Sequence, residues 1–271
     1  MKTLLLTCDL EDFDVPADFG FSISEEKARE VTSEGLRRVL ELAGRLQGRM
    51  TFFVTASVVE RFGEQIRELA RMGHEIGVHA ALPVSEGAFR AEEIQSLERA
   101  RLRLEREINA RVYGFRSHKL RLPVDGLLGA AGYAYDSSLH PTYVPGRYCH
   151  LFKSRAIASS GGVIEVPISV TPLLRLPFSW FWMRNGGIAY LKICSLWAWS
   201  QQDFLNVYFH NWDLADLEKP VLRGRLPRFV RNNAGETMVK LLGKYLRWCG
   251  DRDIQCETIK EHLARKKLLS V

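Results

Sequence analysis

MTFFVTASVVERFGEQIRELARMGHEIGVH, residues 50–79, is the stretch on which the fold turns. MTFFVTA (50–56) is aromatic and β-branched, the composition of a buried strand. SVVERFGEQIRELARMG (57–73) opens on a serine cap, carries apolar residues at helical spacing and stops at a glycine. EIGVH (75–79) is again a short apolar strand. Strand, helix and strand in immediate succession predict two parallel strands, because the helix carries the chain back to the edge from which it left.

The alternation continues on both sides. TLLLTCD (3–9) reads as a strand and SEEKAREVTSEGLRRVLELAGRLQG (24–48) as the helix after it. RAEEIQSLERARLRLEREIN (90–109) is a charged amphipathic helix, RVYGFR (111–116) a strand ending in Arg, and PVDGLLGAAG (123–132) a short helix before YAYD (133–136). GVIEVPISV (162–170), FLNVYFH (204–210) and DIQCET (253–258) read as further strands, with helices at 236–250 and 259–266. Seven or eight mainly parallel strands with helices outside suit a distorted (β/α) barrel better than an open sheet. No glycine-rich loop follows the first strand, which argues against a dinucleotide fold or a P-loop. No linker or repeat divides the chain, so residues 1–271 are expected to form one domain with an aromatic-rich insertion at about 171–200.

The net charge of +6 favours anionic partners without choosing among them. No nucleic-acid motif is present, so none is expected as a partner. The five cysteines are odd in number and form no CxxC, which points to a reducing compartment rather than a disulfide framework. The first apolar run is too short for a signal-peptide core, and no run of spanning length occurs. The expected location is cytoplasmic, with peripheral membrane contact as an option.

That option comes from the insertion. It holds Trp180, Trp182, Trp197 and Trp199, four of the six tryptophans, with a helix expected from about 187 to 200. It reads either as a packed excursion or as an aromatic surface for a sugar or a membrane interface. Downstream, EKPVLRGRLPRFVRNN adds Lys219, Arg223, Arg225, Arg228 and Arg231. These are either solvated charges or a seat for pyrophosphate or anionic headgroups.

The residues ending each strand carry the chemistry. The first strand ends in Asp9, then Glu11 and Asp12; others end at His79, at Arg116 with His118 behind it, at Asp136 and at His210. In a barrel all these ends open onto one face, so acids, imidazoles and a guanidinium converge. That set suits general acid–base work at a polarised carbonyl, with or without a metal. His74, before its strand, reads as a structural turn residue.

In order along the chain, TCDLEDF (7–13), MGHEIGVHAALP (72–83), GFRSHKL (114–120), GYAYDSSLHP (132–141), VIEVPIS (163–169) and VYFHNWDL (207–214) resemble the motifs of the NodB-homology polysaccharide deacetylases (carbohydrate esterase family four), in their DxED-type variant. The resemblance implies a distorted barrel that removes N- or O-acetyl groups from sugars. It implies Asp9 as general base, Arg116 as its holder and His210 as the acid for the leaving amine. Asp12 or Glu11, with His79, would bind a divalent metal, most simply zinc. Asp136 and Trp212 would bind or border substrate.

Two departures stand out. Pro83 occupies the place of the family's second metal-binding His, and His118 stands where the third motif has Pro. Proline has no side-chain donor. Either His118 supplies the missing imidazole, or water and a second acid complete a weak site, or the protein works without metal or not at all. The activity implied is hydrolysis of an acyl amide on an amino sugar of a glycan or lipid-linked saccharide precursor. The alternative is a catalytically silent chain that binds a glycan or protein partner through the same cleft.

Overall fold

The structure is a computed structural model that describes residues 2–82 and 90–270. Pro83 lies outside the described residues. Strand β1 (Thr3–Leu10) leads to helix α1 (Glu25–Arg45), β2 (Thr51–Val54) to α2 (Ala56–Arg71), and β3 (Glu75–Ala80) to α3 (Ala91–Ile108). β4 (Gly114–Ser117), α4 (Leu127–Ala130) and β5 (Tyr135–Asp136) follow. Then come a hairpin of β6 (Tyr143–Val144) and β7 (Tyr148–Cys149), and the pair β8 (Ala158–Ser160) and β9 (Val163–Glu165). The remainder is α5 (Trp180–Trp199), β10 (Phe204–His210), α6 (Pro220–Arg223), α7 (Arg228–Arg231), α8 (Glu236–Gly250), β11 (Gln255–Cys256) and α9 (Ile259–Arg265).

The main sheet runs β10-β1-β2-β3-β4-β5-β9-β8, with β11 beside the start of β1. Every pairing in it is parallel except β8 with β9. The sheet is curled. Leu5 of β1, Phe53 of β2, Tyr135 of β5 and Phe204 of β10 meet in one buried cluster with Ile259 and Leu263 of α9. Strands that far apart in a flat sheet could not share side-chain contacts. The expected barrel is therefore present, as a curled, mainly parallel half-barrel.

The two sheet faces follow the strand period of two. Leu4, Leu6, Cys8 and Leu10 face outward, into the larger core under the helices. Thr7 and Asp9 face inward and both meet Arg116. On β10, Val207 and Phe209 face out while Asn206 and His210 face in. The register puts Asp9 level with His210 and His79 level with Arg116. Gly114 makes room for the interior, because a Cβ there would fall 2.1 Å from the Tyr135 ring.

The strand expected over 162–170 is shorter. β9 stops at Glu165, and Pro167 lacks the N–H that a ladder needs. The stretch after it seams the sheet instead. Ser169 N–H donates to the Asn206 carbonyl at 2.8 Å, and Asn206 Nδ2 donates to the Val166 carbonyl at 3.1 Å.

The insertion folds as α5, which starts earlier than expected and is interrupted by Gly187 at φ 72. Its inner face packs on α8: Trp199 stacks on Trp248, and Ser195 and Tyr245 share a 2.7 Å hydrogen bond. Among the described residues no helix is long and apolar enough to cross a membrane.

Candidate active site

Arg116 is fully buried, and each guanidinium nitrogen has a partner. Nη1 donates to Asp9 Oδ1 and to Thr7 Oγ1, both at 2.8 Å; Nε donates to the Ser137 carbonyl at 3.0 Å, and Nη2 to Ser137 Oγ at 2.9 Å. The Phe53 ring covers the guanidinium 4.3 Å away. Asp9 is thus fixed in position by a charge-assisted bond made inside the barrel.

Glu11 stands two residues on, on the same face as Asp9. Its Oε2 lies 3.3 Å from His79 Nε2 and 3.4 Å from His118 Nε2. Its Oε1 accepts from Trp212 Nε1–H at 3.0 Å and lies 3.9 Å from His210 Nε2. Asn211 Oδ1 accepts the Glu11 backbone N–H at 3.3 Å. Burial would raise this carboxyl, but the His79 hydrogen bond, the His210 charge and the Trp212 bond outweigh it and hold the group at about 2.

The imidazoles are oriented from behind. His79 Nδ1 donates to the Arg116 carbonyl at 2.9 Å, which aims Nε2 at Glu11. Burial opposes the charged form of His79, yet Asp9 and Glu11 raise its pKa. His118, which is half-buried, is lowered instead, by burial and by the His79 charge against the pull of Glu11. His210 Nδ1 sits 3.2 Å from Asp213 Oδ2, and the ring stacks on Trp212 at 4.4 Å. Burial opposes its charge, while the Asp213 bond and the Glu11 charge raise it.

Asp9, Glu11, His79, His118, His210 and Trp212 all line one cleft of about 600 Å³. Two expected residues are elsewhere, and this corrects the expectation for them. Asp12, beyond the end of β1, does not line the cleft and pairs with Arg61 of α2 at 3.2 Å. Asp136 is turned outward by the strand period of two, since its neighbour Ser137 holds Arg116 from within. Asp136 lies buried beside Glu165, its register partner, and borders a separate cavity. His74 accepts the Met50 N–H at 3.1 Å, a structural role.

Three contributors carry no strand-end signature. Asp213 positions His210. Arg184 of α5, fully buried, brings Nε within 3.1 Å of Asp213 Oδ1. Trp180 meets the His210 and Trp212 rings edge-on. The tryptophan density of the insertion was the available signal for the last.

Glu11 Oε2, His79 Nε2 and His118 Nε2 are one carboxylate oxygen and two imidazole nitrogens, donor types that zinc and similar divalent ions take. Among the described residues no group of three or more His, Cys, Asp or Glu stands in ready-made metal geometry. The donors contact one another directly instead. In donor chemistry the set fits such an ion, and His118 brings a second imidazole nitrogen to Glu11 Oε2.

Residues 27–123 match the polysaccharide deacetylase family model. No curated protein is significantly similar to the chain. A candidate polysaccharide deacetylase from Mycobacterium smegmatis has a similar structure, at 19% identity and TM-score 0.60, over 99% of this chain and 92% of that one. The allantoinase Puue is similar at 14% identity and TM-score 0.60, over the same shares. A carbohydrate esterase family four pseudoenzyme from Bacillus anthracis is similar at 13% identity and TM-score 0.51, over 96% of this chain and 64% of that one. At such identities the likeness speaks for fold alone, and one fold carries several chemistries. The chain carries the polysaccharide deacetylase pattern over residues 27–123 and, along its described length, the fold of that family.

Proposed function

We infer that the chain hydrolyses an acyl amide, such as N-acetyl, on an amino sugar. The observation that carries this reading is the convergence of Asp9, held by Arg116, with Glu11 and three imidazoles in one cleft. The family match over residues 27–123 supports it.

Each residue has a part. Asp9, held by Arg116, accepts a proton from the attacking water, whose oxygen joins the acyl carbon. His210, oriented by Asp213, whose bond favours the protonated ring, gives a proton to the sugar nitrogen as the carbon–nitrogen bond breaks. The products are a carboxylic acid and a free amine. Glu11, His79 and His118 would hold a divalent ion, for which zinc is the simplest candidate. Such an ion polarises a carbonyl and eases deprotonation of water when bound. Trp212 fixes the Glu11 carboxylate and forms a flat wall beside His210.

The test is acyl release from a panel of N-acetyl amino sugars by wild type and Asp9→Asn, each with added zinc or cobalt. Release by wild type and a loss of a hundred-fold or more in Asp9→Asn is the expected result. Equal behaviour of the two proteins defeats the reading.

A second reading is a catalytically silent sugar binder. It rests on Pro83, which gives the second motif no imidazole. Metal content after mild purification separates the two. Stoichiometric metal lost on His79→Ala favours the hydrolase, while sugar binding without metal favours the binder.

A further inference from the structure

One wall of the cleft takes no part in the chemistry assigned above. Its rings form an unbroken series outward from His210. Trp180 lies 5.1 Å from His210, Phe181 5.5 Å from Trp180, and Phe229 5.9 Å from Phe181, centroid to centroid. Phe19 adjoins Phe229 at 6.1 Å. Each contact is edge to face, at 64–82°. Rings locked edge to face present a continuous apolar track rather than the free flat faces on which sugars stack.

Apart from the Trp180 indole N–H the rings of the track carry no hydrogen-bonding group, although Asp14, Asp18, His140 and Tyr148 line the same cleft. Lys119 and Arg147, the Lys and Arg side chains among the described lining residues, both pair with Asp18. The outer end of the track is open to water, because Phe229 is 50% exposed. A large ring left exposed at the end of an apolar track marks a contact surface. The cleft of about 600 Å³ also exceeds the needs of one N-acetylhexosamine.

We propose that this track holds an apolar chain carried by the substrate. The amino sugar is then the head of an amphiphile, a glycolipid, whose chain leaves the site along Trp180, Phe181 and Phe229. A long polysaccharide is the poorer ligand, since its next sugar would meet the same apolar wall. The inference rests on the hydrolase reading only for the identity of the sugar head.

The experiment is equilibrium binding by tryptophan fluorescence. The probes are n-alkyl N-acetyl-β-glucosaminides from methyl to octyl, below their micelle concentrations, with the N-acetylglucosamine tetramer alongside. Each methylene taken from water should tighten binding roughly two- to four-fold, or about a hundred-fold or more from methyl to octyl. Phe181→Ala and Phe229→Ser should flatten that series. A flat series in wild type, or tighter binding of the tetramer than of the octyl glycoside, overturns the proposal. Turnover is followed in parallel. Hydrolysis of the methyl glycoside with a flat binding series overturns the chain site and leaves the hydrolase standing; a steep series with no turnover does the reverse.

Discussion

Trp212 Nε1–H donates to one oxygen of Glu11 while His79 and His118 face the other. Glu11 is thereby oriented from the wall and left to act on the cleft side. Glu11→Gln should abolish retention of zinc after dialysis and lower acyl release by a hundred-fold or more. Asp12→Asn should retain the metal, because Asp12 is engaged with Arg61 and does not line the cleft. Metal analysis of the two proteins decides between the two acids.

Removing Arg116 leaves the Asp9 charge buried without its partner. Arg116→Met should cost about 3–5 kcal/mol in urea unfolding, the usual penalty for breaking a buried ion pair. Adding Asp9→Asn to it should restore part of that loss, since the orphaned charge is gone. A double variant no more stable than the single one would count against the pairing as the cause.

Arg184 reaches His210 through Asp213, with both ends of the Arg184–Asp213 pair fully buried. Arg184→Lys should lower kcat about ten-fold with little change in KM, and Arg184→Met should lower it further and destabilise the fold by about 3 kcal/mol or more. Steady-state kinetics with paired urea titrations check this. A change confined to KM would place Arg184 in substrate contact instead.

Gly35 lets α1 approach the turn after β10, where a Cβ would fall 2.3 Å from the Asn211 carbonyl. Gly35→Ala should therefore destabilise by about 1–3 kcal/mol through overpacking. It should also shift the tryptophan emission, because Trp212 is the next residue in that turn. Unchanged stability would mean that the turn yields freely.

The far end of the molecule sets a pH dependence. Burial would raise the Glu257 carboxyl, but bonds from His262 and Arg265 hold it at about 2, below its ordinary value. The folded state therefore gains from the charged form above about pH 4.3, and that gain is lost as the pH falls towards 2. Urea midpoints across this window should fall more steeply in wild type than in Glu257→Gln.

Much of this arrangement is legible in the sequence. Alternating strands and helices give the barrel, and strand ends give Asp9, His79, Arg116 and His210. The period of two, carried on from Asp9, already favours Glu11 over Asp12, whereas the facing of Asp136 on β5 follows only from the inward contact of its neighbour Ser137 with Arg116. The motif resemblance offered all three without that filter. Arg184 and its pairing with Asp213 could not be read, because they depend on how the insertion folds back over β10. The seam between Ser169 and Asn206 is likewise a meeting of distant segments that no local periodicity encodes.

Trp180 and Arg184 sit one turn apart on α5. The first lines the cleft, and the second lies against Asp213, which orients His210. If His210 is the proton donor proposed above, a ligand that pushes on this turn would act on both. Recognition and proton delivery would then share one turn of helix, and a poorly fitting molecule would be penalised twice: once in its hold on the cleft, and again in the aim of His210.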